Sequence, residues 1–96
     1  MRIIGVDPGP ARSAYVVLMD GNIIEKGTLP NEALPSVFKR DTLFGTLAVE
    51  MIASYGMPVG KEVFETCVWI GRFVELWGGH FKFIYRRDVK LHLCNS

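Results

Sequence analysis

An α/β fold built on a five-stranded mixed sheet is predicted by three observations. Asp20-Gly21, a pair that favours a two-residue hairpin turn, separates two strand-like runs; an amphipathic stretch from Val59 to Trp77 separates two more; and Pro- or Gly-bearing clusters punctuate the chain between them. A hairpin makes its strands antiparallel, whereas a helical crossover returns the next strand parallel. The first three strands are therefore expected to be antiparallel, and the fourth and fifth parallel, with helices flanking the sheet. With 96 residues and 49% hydrophobic content, the chain can bury one core but not two, so residues 1–96 read as a single domain.

The elements follow in order. Arg2 to Asp7 reads as a buried strand, stopped by Pro8-Gly9-Pro10, a cluster that must turn. Ser13 to Met19 is strand-like, and after Asp20-Gly21 the run Asn22 to Leu29 returns to complete a meander. Between Pro30 and Asp41, Leu34, Val37 and Phe38 stand at helical spacing behind Asn31, a residue suited to an N-cap. Leu43 to Ile52 contains the fourth strand, and Ala53 to Pro58 is a loop. In the long helix, Val63, Phe64, Cys67, Val68, Ile70, Val74 and Trp77 form the expected core stripe, ended by Gly78-Gly79. His80 to Tyr85 alternates as a partly exposed strand does, and Arg86 to Leu93 reads as the opening of a further helix.

Composition narrows the function classes. A formal net charge of +1 gives no global attraction for nucleic acid, so any basic footprint must be local. Cys67 and Cys94 stand singly without a CxxC partner and no cleavable signal precedes the first strand, which predicts reduced thiols and a cytoplasmic protein. No apolar run reaches membrane-spanning length. His92 and Cys94 have metal-ligand chemistry, but His80 and Cys67 are too distant in sequence to complete a recognisable zinc motif.

The chemistry lies in two acidic residues. Asp7 ends the first apolar run and Glu50 interrupts the fourth, in Leu47-Ala48-Val49-Glu50-Met51-Ile52. If these strands are parallel neighbours, both carboxylates lie near C-terminal strand ends, where open α/β sheets bind ligands. Paired there, they repel each other unless a cation holds both charged, and magnesium or manganese suits hard oxygen donors and leaves positions for water and phosphate. Two such ions about 4 Å apart would activate water and stabilise the leaving oxygen of a phosphodiester. The other reading open at this point is that Asp7 caps the turn before Gly9 while Glu50 faces solvent.

Ile4-Gly5-Val6-Asp7-Pro8-Gly9, the hairpin, Val49-Glu50, and Tyr85 to Lys90 together resemble the N-terminal part of a RuvC-type Holliday-junction resolvase, in the ribonuclease H-like superfamily. The likeness spans nearly the whole chain. It implies a ribonuclease H-like sheet with the fourth and fifth strands parallel to the first, and a magnesium- or manganese-dependent endonuclease site in which Asp7 and Glu50 are catalytic metal ligands. It further implies a homodimer acting on branched DNA, with the loop Ala53 to Pro58 and the start of the long helix approaching DNA, and Lys90 near the scissile phosphate. The family completes its metal site with acidic residues from a C-terminal helix; Asp88 comes too early for that role, so beside the family pattern the C-terminal helices are missing, and the chain reads as a fragment, as a naturally truncated product, or as a domain that works without cleavage.

Other residues add candidate DNA contacts. Arg86, Arg87 and Lys90, with Lys82 near in sequence, form a candidate phosphate patch, or else solvated charges at a helix start partly balanced by Asp88. Tyr55 and Met57 suit either base stacking or folding back onto the core. Lys61, in the first turn of the long helix, sits where the helix dipole disfavours a cation, so an anion is expected beside it. Trp69 and Trp77 read as core or interface residues. Three hypotheses result: a structure-selective endonuclease; a nucleotide binder of the actin-like kinase class, which requires a second similar domain; and a non-catalytic nucleic-acid-binding or dimerising domain on the same fold.

Overall fold

The computed structural model describes residues 1–39, 45–51 and 60–85. Strands β1 (Arg2–Asp7), β2 (Arg12–Met19) and β3 (Asn22–Pro30) are followed by the short helix α1 (Pro35–Phe38), strand β4 (Gly45–Met51), helix α2 (Lys61–Trp77) and strand β5 (Phe81–Tyr85). They form a five-stranded sheet in the order β3-β2-β1-β4-β5. β1 pairs antiparallel with β2, and β2 with β3. β4 lies parallel to both β1 and β5. The expected sheet is therefore the observed one.

Local chemistry explains the turns. Asp20 and Gly21 both take positive φ, at 50° and 85°, the backbone that a twisted two-residue hairpin requires. Gly78 adopts a left-handed conformation with φ of 68° and donates its N–H to the Val74 carbonyl, closing α2 as the Gly-Gly pair predicts. The His80 carbonyl then accepts hydrogen bonds from Trp77 Nε1 at 2.8 Å and from the Leu47 N–H at 3.0 Å. This double acceptor ties the end of the helix to β4 and starts β5 alongside it.

One face of the sheet carries the core. Ile4 and Val6 of β1, Val17 of β2, and Leu47 and Val49 of β4 pack with Leu34, Val37 and Phe38 and with Ile70, Phe73 and Trp77 of α2. Phe38 is its aromatic centre, meeting Phe73 edge-on at 5.8 Å and Trp77 at 5.7 Å. Trp69 packs partly buried against the cluster and carries the Arg72 guanidinium 5.0 Å from its ring centre. Both tryptophans are thus structural.

Three expectations need correction. The core stripe of α2 consists of Thr66, Ile70, Phe73 and Trp77, whereas Phe64 and Val68 are 64% and 55% exposed and Cys67 is exposed. Ile70 and Trp77 lie in the core as the spacing predicts, but apolar residues occur around most of this helix, so the predicted stripe also took in exposed positions and left out Phe73; Thr66 is accepted inside because its hydroxyl donates to the Glu62 carbonyl at 2.8 Å. Helix α1 is only Pro35–Phe38, with Leu34 at its N-cap and no capping side chain. Asn31 is instead fully buried in a polar contact with the first turn, because that pairing satisfies both of its amide atoms.

Candidate functional site

Strand register decides where the two acidic residues lie. Ile4 and Val6 face the core, so the intervening and following residues, Gly5 and Asp7, face the other side of β1. Likewise, Leu47 and Val49 face the core and leave Ala48 and Glu50 on the other side of β4. The parallel ladder pairs Gly5 with Ala48 and Val6 with Val49. The next residues toward the C-terminal ends are Asp7 and Glu50, on neighbouring strands whose spacing is about 4.8 Å. Both therefore leave the same face of the sheet at the same end.

That face carries a cleft of about 440 Å³, lined by Asp7 and Glu50 together with Gly5, Ala14, Val16 and Ile84, among others. Ala14 opposes Asp7 on β2, and Ile84 opposes Glu50 on β5, so the floor beside the acids is small and apolar. Asp7 itself is exposed and Glu50 half-buried. In the first strand only Ile4 and Val6 are buried, Arg2, Ile3 and Gly5 are half-buried, and the last residue, Asp7, is exposed. Lys82, opposite Ala48 on β5, is exposed on the same face two residues before Ile84 and brings a positive charge to its rim.

Two carboxylates so placed are hard oxygen donors, and they fit magnesium or manganese, ions that commonly bind through one or two carboxylates and keep several waters. Among the described residues no group of three or more His, Cys, Asp or Glu stands close enough to hold a metal ion.

The approach to Asp7 is shaped by the following turn. A side chain on Gly9 would meet the Arg12 carbonyl oxygen at 2.4 Å, so only glycine fits there. Ser13 and Asn31, both buried, hydrogen-bond to the N–H and carbonyl of Gly9. Sequence reasoning missed these two as site residues. The available signal was a pair of polar residues at the two strand ends nearest the Pro-Gly turn.

Lys61 opens α2, exposed, and its Nζ lies 3.6 Å from Glu65 Oε1. The anion expected beside it is thus supplied, at least in part, one turn along the same helix. Tyr55, Arg86, Arg87 and Lys90, and with them Met57, Asp88, His92 and Cys94, lie outside the described residues. No described helix is long and apolar enough to cross a membrane.

A meander of three strands continued by two parallel strands, in the order observed here, is a ribonuclease H-like sheet. Within that class the fold is RuvC-like. The chain is similar to T. thermophilus RuvC in complex with a Holliday junction substrate, with a TM-score of 0.75 and 14% identity, covering 94% of this chain and 68% of that one. It is also similar to a Thermus thermophilus RuvC structure, with a TM-score of 0.61 and 16% identity, covering 98% and 69% of the two chains. No protein-family model matches the sequence, and no curated protein matches it. The likeness is one of backbone.

Proposed function

We propose that this chain is a RuvC-like nuclease domain that binds branched DNA and contributes Asp7 and Glu50 to a magnesium- or manganese-dependent site for phosphodiester hydrolysis. The observation that carries this reading is the β1–β4 register, which brings two carboxylates to one face at the C-terminal ends of adjacent parallel strands. When bound, the cation would polarise the phosphate and activate water. Asp7 and Glu50 would hold it, the apolar floor of Ala14, Val16 and Ile84 would limit water around it, and Lys82 would attract phosphate to the rim. Tyr55, Lys61, Arg86, Arg87 and Lys90 are proposed to contact DNA. The fold's likeness to a RuvC bound to a Holliday junction supports the choice of branched DNA.

We further propose that the working form is a homodimer, because two symmetric strands must be cut together. The outward face of α2, with Phe64, Val68 and Leu76 more than half exposed, supports an apolar contact with a second copy. A cytoplasmic location fits the single thiols.

The test is a fluorescent four-way junction incubated with the protein and magnesium or manganese. Paired nicks that vanish in Asp7→Asn and Glu50→Gln are expected; an uncut junction, with Asp7→Asn behaving as the parent, refutes the nuclease reading. A second reading, a non-catalytic DNA-binding domain, is favoured by the two-donor set among the described residues. It predicts junction binding that survives Glu50→Gln and falls steeply with salt, without nicks.

A further inference from the structure

The turn leaving β1 is held by a closed ring of hydrogen bonds made by two side chains from other strand ends. The Gly9 N–H donates to Ser13 Oγ at 3.2 Å, and the Ser13 hydroxyl donates to Asn31 Oδ1 at 2.6 Å. Asn31 Nδ2 returns to the Gly9 carbonyl at 2.9 Å, while the Asn31 N–H donates to the Ala11 carbonyl at 2.9 Å. Ser13 is 1% exposed and Asn31 fully buried, so the bond between them is made away from water and the two to Gly9 are partly shielded; leaving a buried partner unmet costs about 1–3 kcal/mol. The ring satisfies both peptide groups of a residue that stands two positions after Asp7. Pro8 between them has a fixed φ, so the ring's hold on Gly9 passes along a stiff link to Asp7.

We infer that Ser13 and Asn31 are positioning residues for the Asp7 carboxylate. By fixing the Asp7-Pro8-Gly9 turn, they set the direction in which Asp7 leaves β1 and prepare it to share a cation with Glu50. Neither side chain lines the cleft or faces the cation; both act through the backbone. The inference rests on the Asp7–Glu50 cation reading, and its test separates the two.

The measurement is a manganese titration of isotopically labelled protein, reading paramagnetic broadening of amide signals in β1 and β4, with the remaining core signals as a check on folding. Asp7→Asn is expected to abolish the specific broadening. Ser13→Ala and Asn31→Ala are expected to weaken manganese binding roughly tenfold, the lower end of what losing a supporting partner does to metal affinity. Ser13→Thr, which keeps the hydroxyl, is expected to restore it. If Ser13→Ala folds and binds manganese as the parent does, or if Ser13→Thr is no better than Ser13→Ala, the positioning role is refuted while the site stands. If Asp7→Asn binds as the parent does, the site reading fails and this inference with it. Hydrogen exchange on the unmodified protein gives a check independent of substitutions: the Gly9 amide should be protected, and exchange at the rate of an open loop overturns the inference.

Discussion

Single residues carry the sharpest consequences of this fold. Adding a methyl group at Gly9 drives it against the Arg12 carbonyl, a backbone atom that cannot swing away. Gly9→Ala is therefore expected to destabilise the protein by about 1–3 kcal/mol, as overpacking does, read as a lowered denaturation midpoint. Asp20 gives a pH signature. The N-terminal ammonium donates a hydrogen bond to its carboxylate and adds a favourable charge interaction, holding its pKa below the ordinary 3.8. A carboxyl depressed in the folded state contributes stability above its unfolded value and loses it as pH falls through the folded one. An NMR titration should show the Asp20 carboxyl titrating below 3.8, and acetylation of the N-terminal amine should return it toward that value. The two candidate ligands were legible in the sequence because an acid among apolar residues stands out. Asn31 was not, since its partner Gly9 lies 22 positions away and local capping rules see only neighbours.

At the scale of elements, the sheet was legible and the helices less so. Asp20-Gly21 fixes the β2–β3 hairpin, and the single crossover through α2 fixes the parallel β4–β5 pair, because chain geometry allows little else. Helix α1 is shorter than the spacing of Leu34, Val37 and Phe38 suggested: Pro30 is taken into β3, and Pro35 begins the helix. In α2 the apolar residues run too far around the helix for spacing alone to choose the buried side. The structure makes the choice testable. Phe73→Ala removes a fully buried ring set edge-on against Phe38 and should destabilise by about 3–5 kcal/mol. Val68→Ala, at an exposed site, should change stability by no more than about 0.5 kcal/mol. Chemical denaturation of the two variants distinguishes this stripe from the one read off the sequence, which included Val68 and left out Phe73.

For the whole molecule, the proposed DNA binding raises the question of how a chain with a net charge of +1 would hold a polyanion. If a local group of basic residues does so, binding to a four-way junction should weaken steeply as salt rises, because each neutralised phosphate releases a counterion. Lys82 is the described cation on the strand next to Glu50, on a face where register also places the exposed Arg12 of β2 and Lys26 of β3. Lys82→Ala should therefore weaken junction binding and reduce the slope of log affinity against log salt by about 1, while leaving the dependence on DNA shape unchanged. It should not alter folding, since the side chain is exposed on β5. A slope equal to that of the parent would remove Lys82 from the contact surface and turn attention to the opposite side of the sheet. The proposed dimer is tested by sedimentation: if it forms through α2, Phe64→Ser and Val68→Ser together should shift the protein to monomer with little loss of stability, because both residues are more than half exposed within one chain. Two active faces then become one, and junctions should be nicked on a single strand rather than on a symmetric pair. Paired nicks from a protein that sediments as a monomer would place the two-fold contact somewhere other than α2.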